Sequence, residues 1–132
     1  MVYSQIMKRI IHTTNAPAPI GPYNQAIEVD SLLYVSGQIS IDPATNAVIS
    51  SSIADETKQV MENIIAILDA AGYKTGNVIK STIFLSNMSH FAEVNEIYGS
   101  YFTSDFPARE TVAVAGLPKN VNVEISVIAC KS

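Results

Sequence analysis

The run "VNVEISVIAC", residues 121–130, alternates with a period of two, and this constrains the fold more than any other stretch of the chain. Val121, Val123, Ile125, Val127 and Ala129 point one way; Asn122, Glu124, Ser126, Ile128 and Cys130 point the other. A β-branched run of this kind is a strand whose first face is sealed against a core and whose second face is not. Glu124 sits on that second face, mid-strand and away from any turn, where a carboxylate has to be paired or solvated in a pocket.

The rest of the chain has to pack around this strand. "KRIIHT" and "QAIEVD" are expected to be short strands flanking the turn-rich "NAPAPIGPYN", and "LLYVSGQIS" a third. In "SIADETKQVMENIIAILDAAG", Ile53, Thr57, Val60, Ile64, Ile67 and Ala71 recur at spacings of three and four, which predicts one apolar face of a helix. Ser52 with Asp55 has the form of a capping box, and Gly72 supplies the left-handed residue that closes the helix. "NVIKSTIFLSN" follows as a strand. "SHFAEVNEIYGSYF" is a helix capped by Ser89, with Phe91, Val94, Tyr98, Tyr101 and the polar Asn95 turned inward. "TVAVAGL" is a strand joined by the turn "PKNV" to the strand "VNVEISVIAC".

The order is β-β-β-α-β-α-β-β, an α+β chain with two helices for six strands. The economical packing is a six-stranded mixed sheet with both helices on one face. Nothing in the chain is left to cover the other face. Because buried apolar area contributes about 25 cal/mol per Å², covering it with another copy is favoured, and a closed homo-oligomer is expected. No repeat or linker divides the 132 residues, so 1–132 is read as one domain with residues 1–7 as an extension.

Eight Lys and Arg against 12 Asp and Glu give a net charge of −4, which repels a phosphate backbone, so no nucleic-acid partner is expected. One cysteine excludes an internal disulfide, and with only two histidines there is no His/Cys cluster for a metal. His12 and His90 fall near element ends and are read as solvated or capping residues. No segment reads as a signal peptide or membrane span, and a cytoplasmic protein is expected. There is also no nucleophile elbow, Walker loop, G-x-G-x-x-G or HExxH, so common hydrolase, nucleotide and zincin readings have no motif behind them.

Candidate chemistry is sparse. "FPARET" holds Arg109, one of two arginines, and a guanidinium beside an apolar strand needs an acidic partner. Strand parity puts Arg109 and Thr111 on one face and Glu110 on the other, and Arg109 and Glu124 are expected to lie near each other. They are either a structural ion pair at a subunit contact or a fork that grips a ligand carboxylate. Tyr23 in a rigid turn is a packing anchor or a ligand contact. Ser36-Gly37 marks a bulge or a close backbone approach, and Asn95 ties a loop or orients a site.

Taken together, "NAPAPIGPYNQAI", "LLYVSGQISIDPAT", "ENIIAILDAAG", "FAEVNEIYGSYF", "FPARETVAV" and "LPKNVNVEISVIA" resemble the RidA (YjgF, or L-PSP) family from Lys8 to Ala129. The resemblance implies a chorismate-mutase-like α+β fold, a homotrimer with a central barrel, and ligand sites between subunits. It implies hydrolysis of reactive enamines and imines, such as 2-aminoacrylate, to 2-keto acids and ammonium, with neither cofactor nor metal. By position, Arg109 matches the residue that holds the substrate carboxylate and Glu124 the acid at the attacking water, an acid whose ionised form the neighbouring Arg109 would favour. Tyr23, Ser36, Gly37, Asn95 and Thr111 fall on positions that line or support the cleft. Glu110 departs from the small residue many relatives have after the arginine. Two rival readings are a non-catalytic trimer that binds 2-keto acids and an endoribonuclease, the latter at odds with the acidic charge.

Overall fold

Residues 7–132 are described by the computed structural model; of the expected extension only Met7 falls among them, and it is exposed. The elements follow in the expected order: β1 (Lys8–Ile11), β2 (Ala26–Val29), β3 (Leu32–Gln38), α1 (Ile53–Ala71), β4 (Val78–Leu85), α2 (Phe91–Gly99), β5 (Ala108–Ala113) and β6 (Val123–Cys130). They form one six-stranded sheet in the order β1-β2-β3-β6-β4-β5. Every pairing is antiparallel except β4 with β5, which is parallel.

The last two strands differ from expectation. They are consecutive in sequence but β4 lies between them, and β5 begins at Ala108, so Arg109 is inside the strand. The cause is α2. A helical crossover returns the chain to the same end of the sheet, so β5 can pair with β4 only in parallel, at the outer edge. β6 then takes the remaining edge of β4, antiparallel to it, with β3 on its other side.

The ends of α1 follow its sequence. The Ser52 side chain accepts a hydrogen bond from the Asp55 N–H at 3.0 Å, and Gly72, at φ 83°, donates to the carbonyls of Leu68 and Asp69. The capping box forms only in part, because the Asp55 carboxylate accepts from the Ser51 hydroxyl instead. Val60, Ile64, Ile67 and Ala71 are buried together with Thr57. Each large aliphatic of that stripe contributes roughly 1.5–3 kcal/mol by leaving water. The cap of α2 is displaced from its expected place. A 3₁₀ turn, Met88–His90, precedes the helix, and the Asn87 side chain rather than Ser89 accepts the capping bond, from the Ser89 N–H.

Both helices pack on the side of β6 formed by Val123, Ile125, Val127 and Ala129, in one core with Val94 and Tyr98 of α2. The alternation read from the sequence holds along the whole strand. Among the described residues no helix lies over the opposite face. Ile10, Tyr34 and Val112 stand exposed there, and Glu124 lies among them at the level of Phe84. No helix among the described residues is long and apolar enough to cross a membrane.

Candidate active site

Arg109, the second residue of β5, pairs with Ser81 of β4. Ser81 is fully buried and its Oγ accepts a hydrogen bond from the Tyr98 hydroxyl at 2.8 Å. That bond holds the Tyr98 ring beneath the arginine. The guanidinium carbon lies 5.3 Å from the Tyr98 ring centre and 5.7 Å from that of Phe91. Aromatic faces attract a cation without using its N–H donors, so the fork is held yet still free to bind. Burial pushes the Tyr98 phenol above its ordinary value. No salt bridge to Arg109 forms among the described residues. The group opens into a cleft of about 450 Å³ lined by Asn95, Tyr98, Gly99, Phe106 and Pro107. Glu110 points to the other side of the sheet, as parity requires, and pairs with Lys80 at 3.2 Å.

Glu124 is held quite differently. The pairing of β3 with β6 shifts register between Val35 and Gln38, a bulge that carries Ser36 and Gly37. A Cβ at Gly37 would stand 2.9 Å from the Glu124 carboxyl carbon, closer than real atoms come, so this backbone accepts the carboxylate only because it bears no side chain. The Ser36 hydroxyl donates to the Asn24 carbonyl at 2.6 Å. Tyr23 accepts the Ile20 N–H at 3.2 Å, which leaves its own hydroxyl hydrogen uncommitted. The buried Gln25 side chain pins the loop before Tyr23, accepting from the Thr13 N–H and donating to the carbonyls of Thr13, Ala16 and Pro17. Ile20, Tyr23, Ser36, Gly37 and Pro118 thus wall a depression with Glu124 in it. Burial pushes the Glu124 carboxyl above its ordinary value, and no hydrogen bond or cation reaches it among the described residues. The expected lowering by a neighbouring Arg109 is absent, because the two are not neighbours.

Their separation is topological. Arg109 lies on the helix-covered side of the edge strand, against α2, and Glu124 on the uncovered side of β6, with β4 between them. Along β4 they are registered to Ser81 and Phe84, three residues apart. The seven candidate residues therefore divide. Tyr23, Ser36 and Gly37 surround Glu124, and Asn95 lines the Arg109 cleft from an exposed position at the helix flank, not from the inward face. Thr111 shares Arg109's side of β5 but does not line its cleft; its hydroxyl oxygen is buried without a hydrogen-bond partner among the described residues. Sequence reading had turned Phe91 and Tyr98 inward without seeing that they hold the cation, and it passed over Phe106 and Pro107. The exposed Phe106 beside a proline and an arginine was the signal available.

The family model described as Endoribonuclease L-PSP matches residues 13–131. A RutC family protein of Pyrococcus horikoshii is 52% identical over 95% of this chain and 99% of its own length. The human 2-iminobutanoate/2-iminopropanoate deaminase is 46% identical over 96% of this chain and 92% of its own. Among solved structures, Escherichia coli TdcF with bound serine superposes with a TM-score of 0.91 at 39% identity, over 94% of this chain and 99% of that one. The fold, the order of its sequence blocks and these relatives agree: the chain belongs to the RidA (YjgF, L-PSP) family.

Proposed function

We propose that two copies of this chain complete each other's half-site, and that the completed site hydrolyses 2-imino acids to 2-keto acids and ammonium without a cofactor. The observation that carries this reading is a pair of unmatched charges. Among the described residues, a guanidinium with free donors and a carboxyl held without donors lie on opposite faces of one sheet, each in a hollow of its own. A face of exposed Ile10, Tyr34 and Val112 surrounds the second, and a trimer closed over that face would bring the Arg109 edge of one protomer toward the Glu124 depression of the next. The deaminase name of the human relative and the amino acid bound to TdcF support a ligand with a carboxylate.

In such a site Arg109 grips the substrate carboxylate through two parallel N–H···O bonds. The iminium carbon is already electrophilic, so orientation and proton transfer are enough, and no covalent enzyme intermediate is required. Glu124 takes a proton from water as its oxygen bonds to the carbon, giving a carbinolamine. The same carboxyl returns that proton to nitrogen and, ionised again, takes the hydroxyl proton as the C–N bond breaks and the C=O forms; the departing ammonia carries that proton away as ammonium. A carboxyl raised by burial is suited to both halves of that exchange. Tyr23, with a free hydroxyl hydrogen, is placed to orient the water or the leaving nitrogen.

The test is keto-acid release from enzymatically generated 2-aminoacrylate or 2-iminobutanoate. The wild type is expected to exceed buffer. Arg109→Ala, losing two charge-assisted bonds of about 1.5–3 kcal/mol each, should lower kcat/KM about 10²–10⁴-fold. Binding of 2-keto acids with no acceleration by the wild type would leave a regulatory binding protein and remove the enzyme.

A further inference from the structure

Glu56, in the first turn of α1, is 1% exposed, yet no salt bridge reaches it among the described residues. A carboxyl group buried without a cation is expensive, so its other contacts have to explain it. Both oxygens go to a single residue. Oε1 accepts the backbone N–H of Asn122 at 3.1 Å, and Oε2 accepts its side-chain Nδ2–H at 2.8 Å. Asn122 is held from the other side as well. Its Oδ1 accepts from the Ser86 hydroxyl at 2.7 Å and its carbonyl from the Ser86 N–H at 3.0 Å. The residue is thereby fixed between α1 and the end of β4, two positions before Glu124.

We propose that Glu56 is a positioning residue for the acid of the reaction: through Asn122 it sets the start of β6, so that the Glu124 carboxylate lies over Gly37. The chemistry of the contact is selective. Asn122 presents two donors, and only a group with two acceptors at this reach matches both. Glutamine would place an NH₂ against one of them. Glu124 is registered to Phe84, and its carboxyl group occupies the space a Cβ at Gly37 would take, so its place follows that of the β6 backbone. Among the described residues the only other titratable side chain lining its depression is Tyr23. The inference rests on the imine-hydrolysis reading for its kinetic consequence alone.

The experiment compares the assembled wild type with Glu56→Gln and with Glu56→Gln/Asn122→Asp, in which donor and acceptor exchange places and the net charge is kept. Two readouts are taken: steady-state hydrolysis of 2-iminobutanoate, and the titration midpoint of the Glu124 carboxyl carbon by NMR. Glu56→Gln should lower kcat about 10- to 100-fold with KM nearly unchanged and move the Glu124 midpoint. The exchanged pair should restore both. If the wild type does not hydrolyse the imine but the midpoint still moves and returns, the functional reading fails and the positioning role stands. If Glu56→Gln loses thermal stability while kcat, KM and the midpoint stay at wild-type values, Glu56 only holds the fold and the proposal is overturned. Should Glu56→Gln not fold, the exchanged pair decides: a folded double variant with wild-type midpoint and kcat supports the proposal, and one with either displaced overturns it.

Discussion

The cleft at Arg109 and the depression at Glu124 are built from different materials. Arg109 is held by side chains, two aromatic rings from α2, one of them tethered to the buried Ser81. Glu124 is held by the lack of one: a bulged backbone with a glycine lies against it, and no donor among the described residues meets it. Rings fix the position of a cation while leaving all its donors outward, which suits a clamp. A close backbone without donors raises the energy of the charged carboxyl, which suits a proton carrier. The two hollows thus differ in what a ligand would find there, one offering grip and the other offering exchange.

That contrast is open to direct attack. The largest effect is expected from Glu124→Gln, which should lower kcat about 10²–10⁴-fold while KM, set at the other hollow, changes little. Its stability should move the opposite way. Because burial raises the folded-state value of Glu124 above the ordinary 4.5, the folded chain loses stability as pH rises from there through the raised value, relative to a chain without the acid. In the dissociated protomer, where no arginine faces Glu124, Glu124→Gln should therefore melt at or above the wild-type temperature at neutral pH, by a margin that shrinks toward pH 4.5. A destabilised variant would show that the carboxylate has partners that braced it. Next comes Gly37→Ala. The new methyl meets only the movable end of Glu124, so Tm should hardly change, while displacement of the carboxylate lowers kcat about 10- to 100-fold. Equal losses of stability and rate would mean that the glycine serves the fold instead. The smallest effect belongs to Glu110→Gln, which breaks an exposed pair with Lys80 worth about 0–1 kcal/mol. With Glu110 turned from Arg109, kcat/KM should stay within about twofold, whereas a marked gain in KM-side binding would show that Glu110 reaches the clamp.

What was legible in the sequence was what is local. The period of two in Val123–Ala129 and the buried stripe, Ser52 cap and Gly72 end of α1 depend on neighbours within a few residues and are found in the fold, whereas Val121 precedes β6 and packs apart with Ile39 and Ile41. The capping residue of α2 was misplaced because a 3₁₀ turn intervened, and Asn95, midway along the helix, was misplaced because it falls next to the buried Val94, just outside the face that Val94 and Tyr98 bury. Arg109 and Glu124 were expected to be close because parity assigns faces only within one strand. Which face of β5 matches which face of β6 depends on the crossover that places β4 between them. Glu56 gave no sign at all, since its partner Asn122 is 66 positions away and nothing in "ADETKQ" marks that glutamate as buried.

Subunit mixing tests the central claim, that one site is made from the two hollows of different chains. Arg109→Ala and Glu124→Gln proteins are each prepared, dissociated, mixed in equal amounts and reassembled, with exchange verified by mass. If neighbouring protomers of a ring share each site, random mixing rebuilds roughly a quarter of the sites with both residues intact, and imine hydrolysis should return toward that fraction of the wild-type rate. Mixed assemblies that exchange fully yet remain as inactive as their parents would place Arg109 and Glu124 in the same chain's site, or in none, and contradict the account.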